Sequence, residues 1–183
     1  MILFILPIHY NMDFLSKKHP HQLDERIAFD EPSHTYTIDG EIGYLSVTSW
    51  VHRQFKPFDS DKIIDAMMAG RKWSSSKYFG MTRDAIKLLW ETNRDAAAAA
   101  GTKLHSDIEK FYNGVLHTNT SSEYQQFTNF VEENSFEPYR TEWTVFDKEL
   151  KIAGSIDATF VQKNGDLMIY DWKRSKGIVR NSQ

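Results

Sequence analysis

Hydrophobic and polar positions change rhythm twice along the chain. Between residues 27 and 51 the pattern alternates. The stretch from His34 to Asp39 is rich in β-formers, Asp39-Gly40 is a hairpin turn signal, and 44–47 reads as the returning strand. Thr48 or Ser49 can then cap a short helix reaching Phe55. From there the period becomes helical. Asp59 or Ser60 caps a helix with Ile63, Ile64, Met67 and Met68 on one stripe, and Gly70 ends it. A serine loop follows. Thr82 caps a long helical region reaching Tyr112, with one stripe at Ile86, Leu89 and Trp90 and another at Leu104, Ile108 and Phe111. Residues 96–100 are five alanines, read as a low-complexity helix former or as a closely packed face, and Gly101 is expected to bend or interrupt the helix. Asn113-Gly114 stops it, and a further helix is expected at about 122–134.

The second change comes at Arg140. Residues 140–146, 151–161 and 167–173 read as three strands, and Lys163-Asn-Gly-Asp166 is a hairpin turn between the last two. Helices first and a meander afterwards make a mixed α/β (α+β) chain. Residues 1–26 are set apart as an N-terminal arm, in which His19 and His21 read as part of a flexible polar segment rather than as a metal pair. Residues 27–183 form the main domain. The apolar run 1–8 is too short to span a bilayer, so no membrane role is expected.

Composition narrows the chemistry. The chain has 183 residues and no cysteine, which excludes thiolate zinc sites, iron–sulfur clusters, disulfides and cysteine nucleophiles. It fits an intracellular setting. The formal net charge of -3 is not that of a uniformly basic nucleic-acid binder; a carboxylate cluster that cancels a local basic surface would give the same total. There is no Walker loop, no Gly-x-Gly-x-x-Gly and no Gly-x-Ser-x-Gly elbow.

The candidate chemistry lies in the last two strands. Asp171 and Lys173 are two apart and so share a strand face, and the apolar stretch 167–170 before them is expected to be buried. Asp157 lies on the neighbouring strand, and the turn at Asn164-Gly165 puts it roughly opposite Asp171 or Lys173. Two carboxylates converging from adjacent strands repel unless a cation lies between them. Carboxylates that hold Mg²⁺ or Mn²⁺, with a lysine beside them, suit phosphodiester hydrolysis. His105 is a candidate ligand on the long helix. Glu109, one turn later, is a candidate ligand through water. Glu142, expected to share a strand face with Arg140 and Thr144, is a candidate for lining the site or holding a second ion.

Gly101-Thr-Lys-Leu-His105, Glu142, Gly154-Ser-Ile-Asp157 and Tyr170-Asp-Trp-Lys173, in that order, resemble the motifs of the PD-(D/E)XK nuclease superfamily, RecB-like exonuclease branch, over roughly residues 44–176. The resemblance implies a restriction-endonuclease-like core, a central mixed sheet flanked by helices, here with an N-terminal hairpin and helical extension. It implies Mg²⁺ or Mn²⁺ bound by His105, Asp157, Asp171 and the carbonyl of Trp172, with Lys173 as the catalytic lysine. It implies a DNA nuclease acting on single-stranded or free ends in replication, recombination or repair, with a helicase or similar protein as partner. Relatives carry a further helix with a Gln-x-x-x-Tyr-like motif. Here only ten residues follow Lys173, so a domain truncated at its C-terminal end is expected. Arg174, Lys176, Arg71, Lys72 and Trp73 are the candidate nucleic-acid contacts. The alternatives are a catalytically weak nucleic-acid-binding module of the same fold and an RNA endonuclease of the cap-snatching type.

Overall fold

The computed structural model describes residues 12–175. A short helix α1 (Phe14–Lys18) leads through a single 3-10 turn to the hairpin of β1 (Ile27–Asp30) and β2 (Thr35–Ile38). A two-residue strand β3 (Leu45–Ser46) runs directly into α2 (Val47–His52). Then come α3 (Ser60–Met68), α4 (Arg83–Tyr112), α5 (Ser122–Glu133), and the strands β4 (Glu137–Asp147), β5 (Ile152–Val161) and β6 (Leu167–Tyr170).

Side-chain caps start α3, α4 and α5, the first two at residues that the sequence pattern names. Asp59 accepts the Lys62 amide, Thr82 the Ala85 amide and Ser121 the Tyr124 amide, each filling one of the amides that a helix start leaves unpaired. The cap of α2 is Ser46 rather than Thr48 or Ser49. α4 stops at Asn113, and Gly114 follows at φ 70°, a conformation that costs glycine little.

The sheet is mixed. β5 pairs antiparallel with β4 along its whole length on one edge. On its other edge it pairs parallel with β3 at 152–153 and antiparallel with β6 at 158–161. Between β3 and β6, positions 154–157 of that edge have no strand partner among the described residues. Helices flank the sheet, and the β1–β2 hairpin is a separate two-stranded unit.

Several expectations are corrected here. Residues 44–47 do not return along β2; only the Ile38–Glu41 bridge closes the Asp39-Gly40 turn, and Leu45 and Ser46 pair instead with β5, more than a hundred residues away. Gly101 neither bends a turn nor meets another backbone: α4 runs through it, and a Cβ there would find nothing within 4 Å. Ala96 to Ala99 are exposed, so the alanine run is not a packed face. The 167–170 stretch is half open, with Ile169 68% exposed, because no element covers the outer side of β6 among the described residues.

The segment 12–26 is built into the molecule. Leu15 is buried and its amide donates to Asn113 Oδ1 at the end of α4. Asp24 accepts from Arg140 Nη1 at 2.8 Å and from Trp143 Nε1 at 3.2 Å, and His19 stacks on Tyr139 with ring centroids 4.4 Å apart. Burial, the largest single effect, works to raise the Asp24 carboxyl, but the hydrogen bonds from Arg140, the His21 amide and Trp143 together with the Arg140 charge outweigh it and hold the group below its usual range.

A candidate metal centre between the long helix and the sheet

α4 lies across the sheet and turns His105 toward it. Leu104 and Ile108 pack against Phe127 of α5, which fixes the rotation of the helix and so the direction of His105. Asp107, also buried, is satisfied by Lys103, Lys110 and Asn119 and takes no part in the site.

Strand alternation fails where the sheet meets this helix. Thr141 receives a hydrogen bond from Asn113 of α4, and its neighbour Glu142 also reaches α4, 3.6 Å from His105 Nδ1. Arg140 and Trp143 turn to the opposite side and meet Asp24. Two successive residues on one face require a distorted backbone, and Glu142 stands at φ 44°, in the left-handed region that non-glycine residues rarely occupy. Glu142 and Asp157 are opposite one another in a register that continues on both sides of them. The expectation that Glu142 shares a face with Arg140 is therefore wrong. Its reason, period-two alternation, fails at the one residue that matters; Thr144 does line the same cleft.

Asp157 lies on the unpartnered stretch of the β5 edge, just where β6 has ended. The chain leaving β6 bends back, and the Trp172 amide donates to Asp157 Oδ2 at 2.7 Å. The Trp172 carbonyl accepts from His105 Nε2 at 2.8 Å. One residue thus gives both backbone groups to the centre, and its indole is held among Phe127, Phe130 and Tyr170.

These contacts set the tautomer. A carbonyl can only accept, so Nε2 carries the proton and the Nδ1 lone pair of neutral His105 faces two carboxylate oxygens, Glu142 Oε1 and Asp157 Oδ2, each 3.6 Å away. Three acceptors pointing at one another need a proton or a cation between them. The Glu142 carboxylate, first, and then Asp157 raise the His105 pKa against the opposing effect of burial. Asp157 is also raised, by burial first, with Asp171 and Glu142 adding repulsion and the Trp172 amide opposing. Glu109, one turn along α4, is pushed up to about 7 by burial and by the Glu142 charge. Ligand atoms of His105, Glu142 and Asp157 lie within 4.8 Å of one another. Neighbouring ligands of an octahedral ion with bonds near 2.1 Å are about 3 Å apart, so holding Mg²⁺ or Mn²⁺ requires the two 3.6 Å separations from His105 to close by roughly half an ångström.

The two remaining residues of the strand motif stand outside this group. Asp171 and Lys173 lie beyond the end of β6, exposed (side chains 57% and 74%), and bind each other at 2.8 Å. That pairing, first, raises Lys173 and keeps it an ammonium. They share a side as expected, but on an irregular segment rather than a strand. A cleft of about 600 Å³ opens beside the centre, walled by Phe29 of the hairpin and by Thr102, Glu109, Thr144 and Ser155. Gly101 borders it one turn before His105, where a side chain would narrow the opening. Nothing in the sequence pattern pointed to the hairpin wall, whereas Ser155 lies where strand alternation puts it, two positions before Asp157.

Compared with known proteins, the chain matches no family model, no curated protein and no solved structure.

The candidate nucleic-acid residues are scattered. Arg174 is held by Glu123 at 2.7 Å. Lys176 lies outside the described residues. Arg71, Lys72 and Trp73 lie before α4, whose N-terminal half their segment contacts through Tyr78 and Trp90. No helix of the described residues is long and apolar enough to cross a membrane.

Proposed function

We propose that the chain is a metal-dependent nuclease that hydrolyses DNA phosphodiesters, with a restriction-endonuclease-like core of the RecB-like kind. One observation carries the reading. His105, Glu142 and Asp157, far apart in sequence, bring ligand atoms within 4.8 Å of one another, and the Trp172 backbone ties His105 to Asp157. The donor set of two carboxylates and one imidazole suits Mn²⁺ and Mg²⁺ better than soft metals. When bound, the cation supplies Lewis-acid polarisation of the scissile phosphate and acidifies water.

The protein's own groups do the rest. Asp157 is oriented by the Trp172 amide through Oδ2, the oxygen that faces His105. Asp171 supplies a further carboxylate by a side-chain turn away from Lys173. Lys173, kept charged, acts as a donor to the phosphate or the attacking water and not as a base. DNA with a single-stranded or free end is the proposed substrate, and a helicase-type protein the proposed partner.

The Asp171–Lys173 pair favours one second reading: a nucleic-acid-binding module of the same fold in which that pair stays closed and cutting is weak. End-labelled single-stranded DNA, duplex DNA and RNA, each with Mg²⁺, Mn²⁺ or EDTA, separate the possibilities. Metal-dependent DNA cutting that falls about a thousandfold in Asp157→Asn supports the nuclease. Binding without cutting by the folded wild type would leave the module, and cutting of RNA alone would assign a ribonuclease.

A further inference from the structure

Away from the metal centre, the most unusual surface lies where the α2–α3 connection and the segment between α3 and α4 meet on Trp90 of α4. Residues 42–58 and 66–83 carry six of the chain's 22 lysines and arginines and none of its 25 aspartates and glutamates. A molecule of net charge -3 thus keeps two acid-free stretches, and the structure brings them together. Phe58, in the α2–α3 connection, packs on Trp90 with ring centroids 6.1 Å apart. Trp90 donates to the Tyr78 hydroxyl at 2.9 Å, and Lys77 Nζ lies 4.9 Å over the Tyr78 ring.

The aromatics here are not core. Phe55 is 70% and Phe58 72% exposed, and Trp50 and Phe79 are exposed too. Large rings in the open, with no segment over them among the described residues, are costly unless something covers them. Between them stand cations without partners: among the described residues the Arg53, Lys56, Arg71 and Lys72 side chains make no ion pair or hydrogen bond. Elsewhere basic side chains are commonly tied, as Arg26 is to Asp39 and Arg140 to Asp24. The core of a protein–protein contact is depleted in lysine, whereas a ligand that is anionic along its length and has flat apolar rings meets both features at once.

We propose that this face binds single-stranded DNA, with Trp50, Phe55 and Phe58 stacking bases and Arg53, Lys56, Arg71 and Lys72 holding phosphates. A duplex hides its base faces and cannot use the exposed rings. The face lies along α4 from the metal centre: Trp90 precedes His105 by fifteen positions, about 22 Å of helix. A strand bound here can reach the cleft past Gly101. The link to cutting rests on the nuclease reading above; the binding does not, and is measured with neither metal nor turnover.

The test is fluorescence anisotropy of a labelled oligothymidylate, longer than the ~4–16 nucleotides of a typical single-strand site, titrated with the whole chain in EDTA. The wild type is expected to bind it, with unlabelled duplex a poor competitor. Phe55→Ala, at a ring with no aromatic partner, is expected to weaken binding about tenfold with an unchanged melting temperature. Arg53→Ala with Lys56→Ala is expected to flatten the dependence of log affinity on log salt by about 1.4. Binding that both variants leave intact would overturn the proposal, as would a duplex competing equally well. Sedimentation showing a dimer that Phe55→Ala dissociates, with DNA binding unaffected, would assign the face to a second copy of the chain instead. Binding as described but no cutting with Mn²⁺ would retire the nuclease reading and leave this one standing.

Discussion

The two halves of α4 live in different surroundings. The helix is one unbroken run of 30 residues, about 45 Å long. Its second half is clasped by α5 and the sheet, buries Leu104, Asp107 and Ile108, and presents His105 to a distorted point of β4. Its first half buries only Ile86 and is otherwise joined to α3 by exposed ion pairs such as Lys87–Asp61. The difference teaches a division of labour. Chemistry that needs atoms placed to tenths of an ångström is held by packing, and a surface for a flexible polyanion is left loosely attached, with its rings and cations in the open.

Substitution at the two ends gives the largest contrast. Ile108→Ala removes a 2%-exposed side chain from the cluster with Phe127 and is expected to cost about 3 kcal/mol in urea unfolding. Leu88→Ala, in the exposed half, is expected to stay within about 0.5 kcal/mol. Equal costs at both positions would mean that the first half is packed after all.

Gly101, where the halves meet, allows a test in which stability and activity move in opposite directions. Its φ is helical and a Cβ would meet nothing within 4 Å, so Gly101→Ala should stabilise the fold by about 1 kcal/mol. The same methyl narrows the cleft beside His105, and cutting should fall while the melting temperature rises. A variant both more stable and equally active would show that the strand does not pass this turn.

A further effect is expected of pH on the metal-free protein. Glu109 has a carboxyl raised from 4.5 to about 7, chiefly by burial, so folding favours its protonated form. That stabilisation is complete below about 4.5 and is lost as pH rises through about 7. The melting temperature should decline across this window, and Glu109→Gln should flatten the decline. The same repulsion runs the other way for metal binding, since Asp157 and His105 must shed protons to act as ligands.

Local signals in the sequence were legible because local physics decides them. Thr82 and Asp59 cap helices since their oxygens can reach an amide three residues on, and Asn164-Gly165 turns because Gly165 takes φ 89° freely. What stayed hidden is non-local. Pairing of Leu45 with Ile152 leaves no trace in periodicity, and so the parallel strand that makes the sheet mixed was read as part of a hairpin. The order of His105, Asp157 and Trp172 along the chain could be read, but not the backbone switch at Glu142 that adds a second carboxylate. Phe55 and Phe58 look like core residues in any apolar count. Only their exposure marks them as surface.

Manganese binding measured by titration calorimetry, with no DNA present, tests the centre most directly. The account predicts a saturable Mn²⁺ site in the wild type, abolished in Asp157→Asn, strongly weakened in His105→Ala and kept in Phe55→Ala. Wild-type protein that is folded and takes up no Mn²⁺, or whose uptake survives Asp157→Asn, would contradict it.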